Sequence, residues 1–444
     1  MSTPPLAPET IAGRIRLFFT FADSRWEDLE RGSWVQTVYR DFSAGLIVAM
    51  TAIPMAMGFA IAMGMRPEHG IIAGALACAV GRTFGGSKYQ VYGPTAAFIP
   101  VIAALISKYG GGGATFDQAH GFLVLVSGIA GLVLMIFGML GMGKHARHVP
   151  NSIIVGFTVG IAVTIGFTNL KDILGVKSLG ALFSGSVGVN GFSLAVGFGT
   201  LILTKMLLRI SIFIPGPVIS IVASTVVAST VWKDRGLLLV RDLYGSIPNN
   251  FFKVTMPFLP PLTAGVLWDI FYFVGAIVFV SGVESVLCSS MADKLAENRR
   301  TPFNPDKEFF GQGLVQVVTP LIQGFPCTGA LARTATSIKA GAKTPLAGYF
   351  KAILKLTMAY YLADYLELIP MACIGGILVW VSTNMIKAHE IREIWHSGKF
   401  EAAMMVYTAV MVPMTDFLTG VLSALIIYFV CKRVFLRSSG ETQA

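Results

Sequence analysis

Runs of apolar residues long enough to cross a hydrocarbon core of ~30 Å recur along this chain from residue 43 to residue 436. No period-2 pattern of short strands competes with them, so the spans read as helices. Composition agrees. The 444 residues are 54% hydrophobic and only 13% charged, whereas charged residues make up about a quarter of soluble domains. The chain is therefore read as an all-α, multi-pass membrane protein. A net charge of +10 would suit a nucleic-acid binder, but in a polytopic protein it reflects basic cytoplasmic loops, and no nucleic-acid partner is expected. Membrane lipid is an expected partner.

Fourteen membrane-embedded segments are predicted, near residues 43–63, 69–84, 94–107, 118–141, 151–170, 191–210, 214–232, 264–290, 309–323, 328–340, 346–364, 371–386, 400–415 and 417–436. An even count puts both termini on one side. With Lys and Arg assigned to alternate faces, about 25 fall on the side of the termini and about 8 on the other, which makes the termini cytoplasmic. Residues 1–42 carry Arg14, Arg16, Arg25, Arg31 and Arg40 among Trp26, Trp34 and acidic residues. They read as a cytoplasmic N-terminal segment and lack the layout of a cleaved signal peptide. The transmembrane domain covers 43–436, and 437–444 is a short cytoplasmic tail. The location implied is the cell membrane.

Two of the segments are too short to cross alone. The pieces after "VYGP" (Val91 to Pro94) and after "GFPC" (Gly324 to Cys327) offer about 13 residues of helix each, roughly 20 Å. Each follows a proline that helps fix a helix start, and each then presents small or hydroxyl residues: Thr95 and Ala96 in one, Thr328, Gly329 and Ala330 in the other. They are third in each half of seven. Short, Gly/Pro-interrupted segments at matching places in two halves point to a transporter's substrate site. Half-helices that begin near the midplane aim free N–H groups and positive dipole ends into a shared cavity suited to an anion. Arg333 lies in the second turn of the later one and adds a full positive charge. The alternative is that Arg333 only pairs with a carboxylate or snorkels to an interface.

A second charge sits inside an apolar span. "VSGVESVLCSSMAD" (Val280 to Asp293) places Glu284 with Ser281, Ser285 and Cys288 as near neighbours on one helix. It is a candidate coupling group, able to carry a proton or help hold a cation; the alternative is a carboxylate that locks two helices. Other features read more plainly. Asp293 to Arg300 and the following "TPFNPDKE" read as a solvated loop, and "GGGG" at Gly110 to Gly113 as an external turn. Met55, Met57, Met63 and Met65 read as packing, with Phe59 a candidate cavity-lining residue. Five cysteines without CxxC spacing suggest neither disulfides nor a metal site. No Ser/His/Asp set stands at a plausible spacing, and a membrane-embedded enzyme would need more than one buried carboxylate. No cofactor is expected.

Four stretches together carry a specific resemblance: "DFSAGLIVAMTAIPMAMGFAIAMGMRPEHGI" from Asp41, "GPTAAF" from Gly93, "VPNSIIVGFTVGIAV" from Val149, and "GQGLVQ" from Gly311 leading into "GFPCTGALARTATSIKAGAKTPLAG". Over residues 40 to 436 the chain resembles the sulphate permease family, the SulP or SLC26 group of anion transporters. The resemblance implies two inverted seven-segment repeats, sorted into a core domain (43–141 and 264–364) and a gate domain (151–232 and 371–436), with an elevator-like motion. It assigns Phe59, Gly93, Thr95, Gly329, Ala330 and Arg333 to the anion pocket and Glu284 to coupling.

Two departures from the family pattern shape the expectation. Sodium-driven bicarbonate carriers of the family resemble the chain at Met55 but typically have Asp and Thr where Glu284 and Cys288 stand. A thiol is a poor sodium ligand. The Glu and Cys pair is similar instead to proton-coupled dicarboxylate carriers, so a co-transported proton is expected. After "CKRVFLRSSGETQA" there is no room for the cytoplasmic STAS domain of most members, which leaves a homodimer open. The function implied is secondary active transport of sulphate, bicarbonate or a dicarboxylate. Sodium-coupled bicarbonate symport and an uncoupled anion channel or exchanger stand as alternatives.

Overall fold

Where helices must pack without a hydrophobic drive between them, small residues let backbones approach, and this chain uses glycine for that purpose. The architecture comes from a computed structural model, which describes residues 11–21, 23–31, 33–111, 115–176, 188–211, 213–233, 235–248, 252–415 and 417–440. Short helices α1 (Ile11–Phe18) and α2 (Glu27–Arg31) precede α3 (Trp34–Ala62) and α4 (Pro67–Phe84). Next come α5 (Ile99–Tyr109), α6 (Phe116–Met139), α7 (Asn151–Leu174), α8 (Gly191–Ile210), α9 (Gly216–Thr230) and the short α10 (Val240–Tyr244). The second half contains α11 (Ala264–Leu295), α12 (Pro305–Leu321), α13 (Leu331–Lys339), α14 (Leu346–Leu366), α15 (Met371–Met385), α16 (Ala388–Ser397), α17 (Lys399–Met414) and α18 (Phe417–Gly440).

The stretches read as embedded overlap helices, in part only for 328–340. Among the described residues, six are long and apolar enough to cross a membrane: Trp34–Ala62, Phe116–Met139, Asn151–Leu174, Gly191–Ile210, Ala264–Leu295 and the stretch Met371–Ser397. The chain is thus a multi-pass membrane protein.

The chain divides into two compact units, Met1–Arg147 with Asn169–Trp380, and His148–Thr168 with Val381–Ala444. In the first, α12 packs along α6 and α4, and α14 along α3 and α4. The α6–α12 contact rests on two glycines: a Cβ at Gly131 would stand 2.5 Å from the Gly313 carbonyl oxygen, and one at Gly313 equally close to that of Gly131. A Cβ at Gly70 would collide with the Ala56 carbonyl, which sets the approach of α4 to α3. Met57, Met63 and Met65 are fully buried here, as expected for packing residues. In the second unit, Gly156 and Gly160 of α7 lie against Met405 and Val412 of α17, and Val155, Ile394 and Met405 form a buried cluster.

Three readings change. The first half-helix runs over Ala96–Tyr109, a 3₁₀ turn continued by α5, close to the expected length, whereas α13 is shorter than about 13 residues, with 9. The residues ahead of them extend into two short strands, β1 (Tyr92–Gly93) and β2 (Thr328–Gly329), because each strand's peptide groups find partners in the other. The "TPFNPDKE" stretch is no solvated loop: Asn304 caps α12 by accepting from the Asp306 and Lys307 amides at 3.0 Å, and Lys307 and Glu308 are buried. In the "GGGG" turn, Gly110 closes α5 through its N–H to Ile106, while Gly112 and Gly113 lie outside the described residues. The tail from Glu441 also lies outside them.

The N-terminal segment is bound to the first unit. Arg25 donates to the carbonyls of Arg82, Thr83 and Gly85 at the end of α4. Lys307 donates to the Thr20 carbonyl at 2.8 Å and to Asp23 at 2.7 Å, and Lys88 pairs with Asp28.

Candidate functional site

Two chain breaks meet in the first unit. β1 pairs antiparallel with β2, Tyr92 opposite Gly329 and Gly93 opposite Thr328. The 3₁₀ turn Ala96–Phe98 and α5 leave from one strand, and α13 leaves from the other. The Ala330 N–H donates to the Val91 carbonyl, and the Val91 N–H to the Thr334 hydroxyl, both at 2.9 Å, so the two helix starts are tied together. A Cβ at Gly329 would stand 2.6 Å from the Gln90 amide carbon and 2.8 Å from the Cys288 Cβ. Only a residue without a side chain leaves room for this pairing.

Arg333 reaches across the ribbon. It is 5% exposed; its Nη2 donates to the Pro94 carbonyl, and its Nη1 is buried without a hydrogen-bond partner among the described residues. A Cβ at Gly93 would stand 3.0 Å from that Nη1. Among the described residues, Arg333 makes no ion pair. A buried charge without a counter-ion costs several kcal/mol, so a negative charge beside this edge of the guanidinium would be stabilising.

Glu284 lies on α11, half-buried, and accepts a hydrogen bond from Thr95 at 3.0 Å. One turn further along, the Cys288 sulphur is 3.3 Å from the Thr334 hydroxyl. Thr328 donates to the Ser281 carbonyl at 3.3 Å. Thus Gly93, Thr95, Ala96, Thr328, Gly329, Ala330, Arg333, Glu284 and Cys288 are brought to the ribbon and its two helix starts. Phe59 is buried on α3, which packs against α13.

Several residues that hold this arrangement were not singled out by sequence. Glu308 is fully buried and accepts from the Gly86 and Ser87 amides, Tyr92, Ser285 and Gln90. Gln90 donates to Ser285 at 2.8 Å and accepts from Ser289 at 2.6 Å, which ties β1 to α11. Gln312 and Gln316 of α12 donate to the Cys327 carbonyl and hold the approach to β2. Their motif, "GQGLVQ", was visible, but not what its amides do. Lys351 and Lys355 of α14 are also buried beside the ribbon; two lysines four apart in an apolar stretch were the available signal.

A sequence profile described as Sulfate permease family matches residues 38–408, most of the chain and all of this site. The chain belongs to the sulfate permease family. Putative sulfate transporter YvdB of Bacillus subtilis (strain 168) is 31% identical over 423 residues, covering 93% of this chain and 76% of that relative. The transmembrane domain of a cyanobacterium bicarbonate transporter, BicA, superposes with a TM-score of 0.75 at 25% identity, covering 87% of this chain and 97% of that structure. Murine Slc26a9, an anion transporter in the inward-facing state, gives a TM-score of 0.78 at 16% identity over 97% of this chain and 73% of its own, a likeness of fold. These sulfate permease relatives are transporters, not enzymes, and the membrane anion carriers among them share this chain's helical architecture.

Proposed function

We propose that this sulfate permease family member is a secondary active transporter of a small oxyanion or carboxylate, seated between the two broken helix starts and driven by a co-transported proton. The observation that carries the reading is the Arg333 Nη1: a permanently charged donor, buried, without a partner among the described residues and lying close against Gly93 of β1. The names of its relatives, a sulfate and a bicarbonate transporter, supply the leading substrates.

Glu284 is the proposed proton carrier. It hydrogen-bonds Thr95 at the start of the first broken helix, so its charge is felt where the anion binds. The thiol of Cys288 supports a proton over sodium, because it engages Thr334 and hard cations prefer oxygen. Alternating access would move the core (43–141 and 264–364) as an elevator against the gate (151–232 and 371–436), with both termini cytoplasmic, two inverted repeats and a homodimer as the assembly.

Uptake of labelled sulfate, bicarbonate and fumarate into proteoliposomes tests this. Concentrative uptake of at least one under an inward proton gradient is expected. Equal uptake with and without the gradient would reject the coupling, and none for any anion would reject the carrier.

A further inference from the structure

The family resemblance assigns one cation to the anion seat, yet α14 buries two more beside it. Lys351 and Lys355 stand one turn apart and are 1% and 0% exposed. Lys351 donates to the Tyr92 carbonyl at 2.7 Å and the Gly74 carbonyl at 3.1 Å; Lys355 donates to the Gly70 carbonyl at 3.1 Å. Among the described residues neither has an ion-pair partner. A buried charge without a counter-ion costs several kcal/mol. Hydrogen bonds to these carbonyls call for a donor, but they give no reason for a full charge without compensation.

Geometry does give one. A Cβ built on Gly93 would lie 3.0 Å from Arg333 Nη1 and 3.5 Å from Lys351 Nζ, so both cations border one point in front of the ribbon. Arg333 reaches it with an unpartnered edge, and Lys351 with the third N–H left by its two carbonyls. They come from different helices, α13 and α14. Lys355 stands behind: a Cβ at Gly74 would collide with its Nζ and lie 3.1 Å from Pro94 Cδ.

We infer that Lys351 is a specificity-determining residue, forming with Arg333 a two-cation seat that favours a doubly charged oxyanion over a singly charged one. The inference rests on the anion-carrier reading above. A monoanion leaves one of the two cations uncompensated, whereas a tetrahedral dianion offers oxygens to the arginine fork and to the ammonium together. Glu284, held by Thr95, is the acid in this cluster; ionised, it offsets one cation, and a proton on it restores the full attraction for a dianion.

The full chain in proteoliposomes tests this with labelled sulfate and labelled bicarbonate as probes. For Lys351→Met, confirmed monodisperse in detergent, the ratio of sulfate to bicarbonate kcat/KM should fall at least about tenfold, since close charge pairs couple by more than 1.4 kcal/mol. Lys351→Arg should restore much of it. An equal loss for both anions, or none, overturns the proposal. Should the methionine variant fail to fold, the wild type decides: selenate should compete with labelled sulfate at least about tenfold better than nitrate or formate, and equal competition overturns it. Wild-type vesicles that take up no anion would instead overturn the carrier reading itself.

Discussion

Arg333, at the start of one broken helix, donates a hydrogen bond to the carbonyl of Pro94 at the start of the other, and its buried Nη1 has no partner among the described residues. A side chain retained only for stability would not be left in this state, because an uncompensated buried charge destabilises. Arg333→Met should therefore leave the thermal midpoint of the anion-free protein unchanged or raised. Sulfate at about 100 times its Kd stabilises a binding-competent protein by about 2.7 kcal/mol, and this shift should vanish in the variant. Thermal unfolding with and without sulfate reads both effects.

Gly329 faces Gln90 and Cys288 at distances that admit no Cβ. Gly329→Ala should push β2 from β1 and disturb the seat while the rest of the unit folds. Sulfate uptake is expected to fall by more than about tenfold, with a loss of roughly 1–3 kcal/mol of stability, the usual range for overpacking. Flux and thermal melting on one preparation check it.

Glu308 gathers donors from the Gly86–Ser87 turn, β1 and α11. A neutral amide cannot accept from all of them, and hydrogen bonds to charged groups are worth about 1.5–3 kcal/mol each. Glu308→Gln should cost at least about 3 kcal/mol, seen as a lower melting temperature and poor yield. Its effect would exceed that of Glu284→Gln, because Glu284 is half-buried and, among the described residues, has one hydrogen bond, from Thr95.

Glu284→Gln should keep anion exchange and lose proton-driven accumulation. Counterflow of labelled sulfate at equal pH, set beside uptake under an inward proton gradient, separates the two. Retained accumulation would remove Glu284 from the coupling.

Outside the membrane, burial pushes the Asp23 carboxyl up, and the hydrogen bonds and charges of Arg25 and Lys307 more than reverse this, leaving it below its ordinary 3.8. A depressed folded value stabilises the docked segment above the unfolded value, and that stability is lost as pH falls through the folded one. Amide exchange over residues 23–31 should accelerate below about pH 4, beyond the intrinsic rate change. Asp23→Asn should exchange faster at neutral pH and show no such transition.

The half-helices and Arg333 were legible because proline, glycine and a charge inside apolar runs are locally conspicuous. The ribbon was not: Tyr92 and Gly329 are distant in sequence, and two-residue strands carry no periodicity. Glu308 was hidden by its company. "NPDKE" reads as polar loop, although an asparagine followed by proline and acidic residues is also a helix start, and there the glutamate turns inward. Lys351 and Lys355 were visible as lysines, but only α4 and β1 packed against α14 reveal what they face.

The carrier reading requires an anion held by Arg333 Nη1 between the starts of α5 and α13. Selenate, a heavy isostere of sulfate, locates it directly by anomalous diffraction from crystals soaked at a concentration that inhibits sulfate uptake. A selenium peak is expected within hydrogen-bonding reach of Arg333, between the starts of α5 and α13. Selenate bound elsewhere, with that space empty, would contradict the carrier reading.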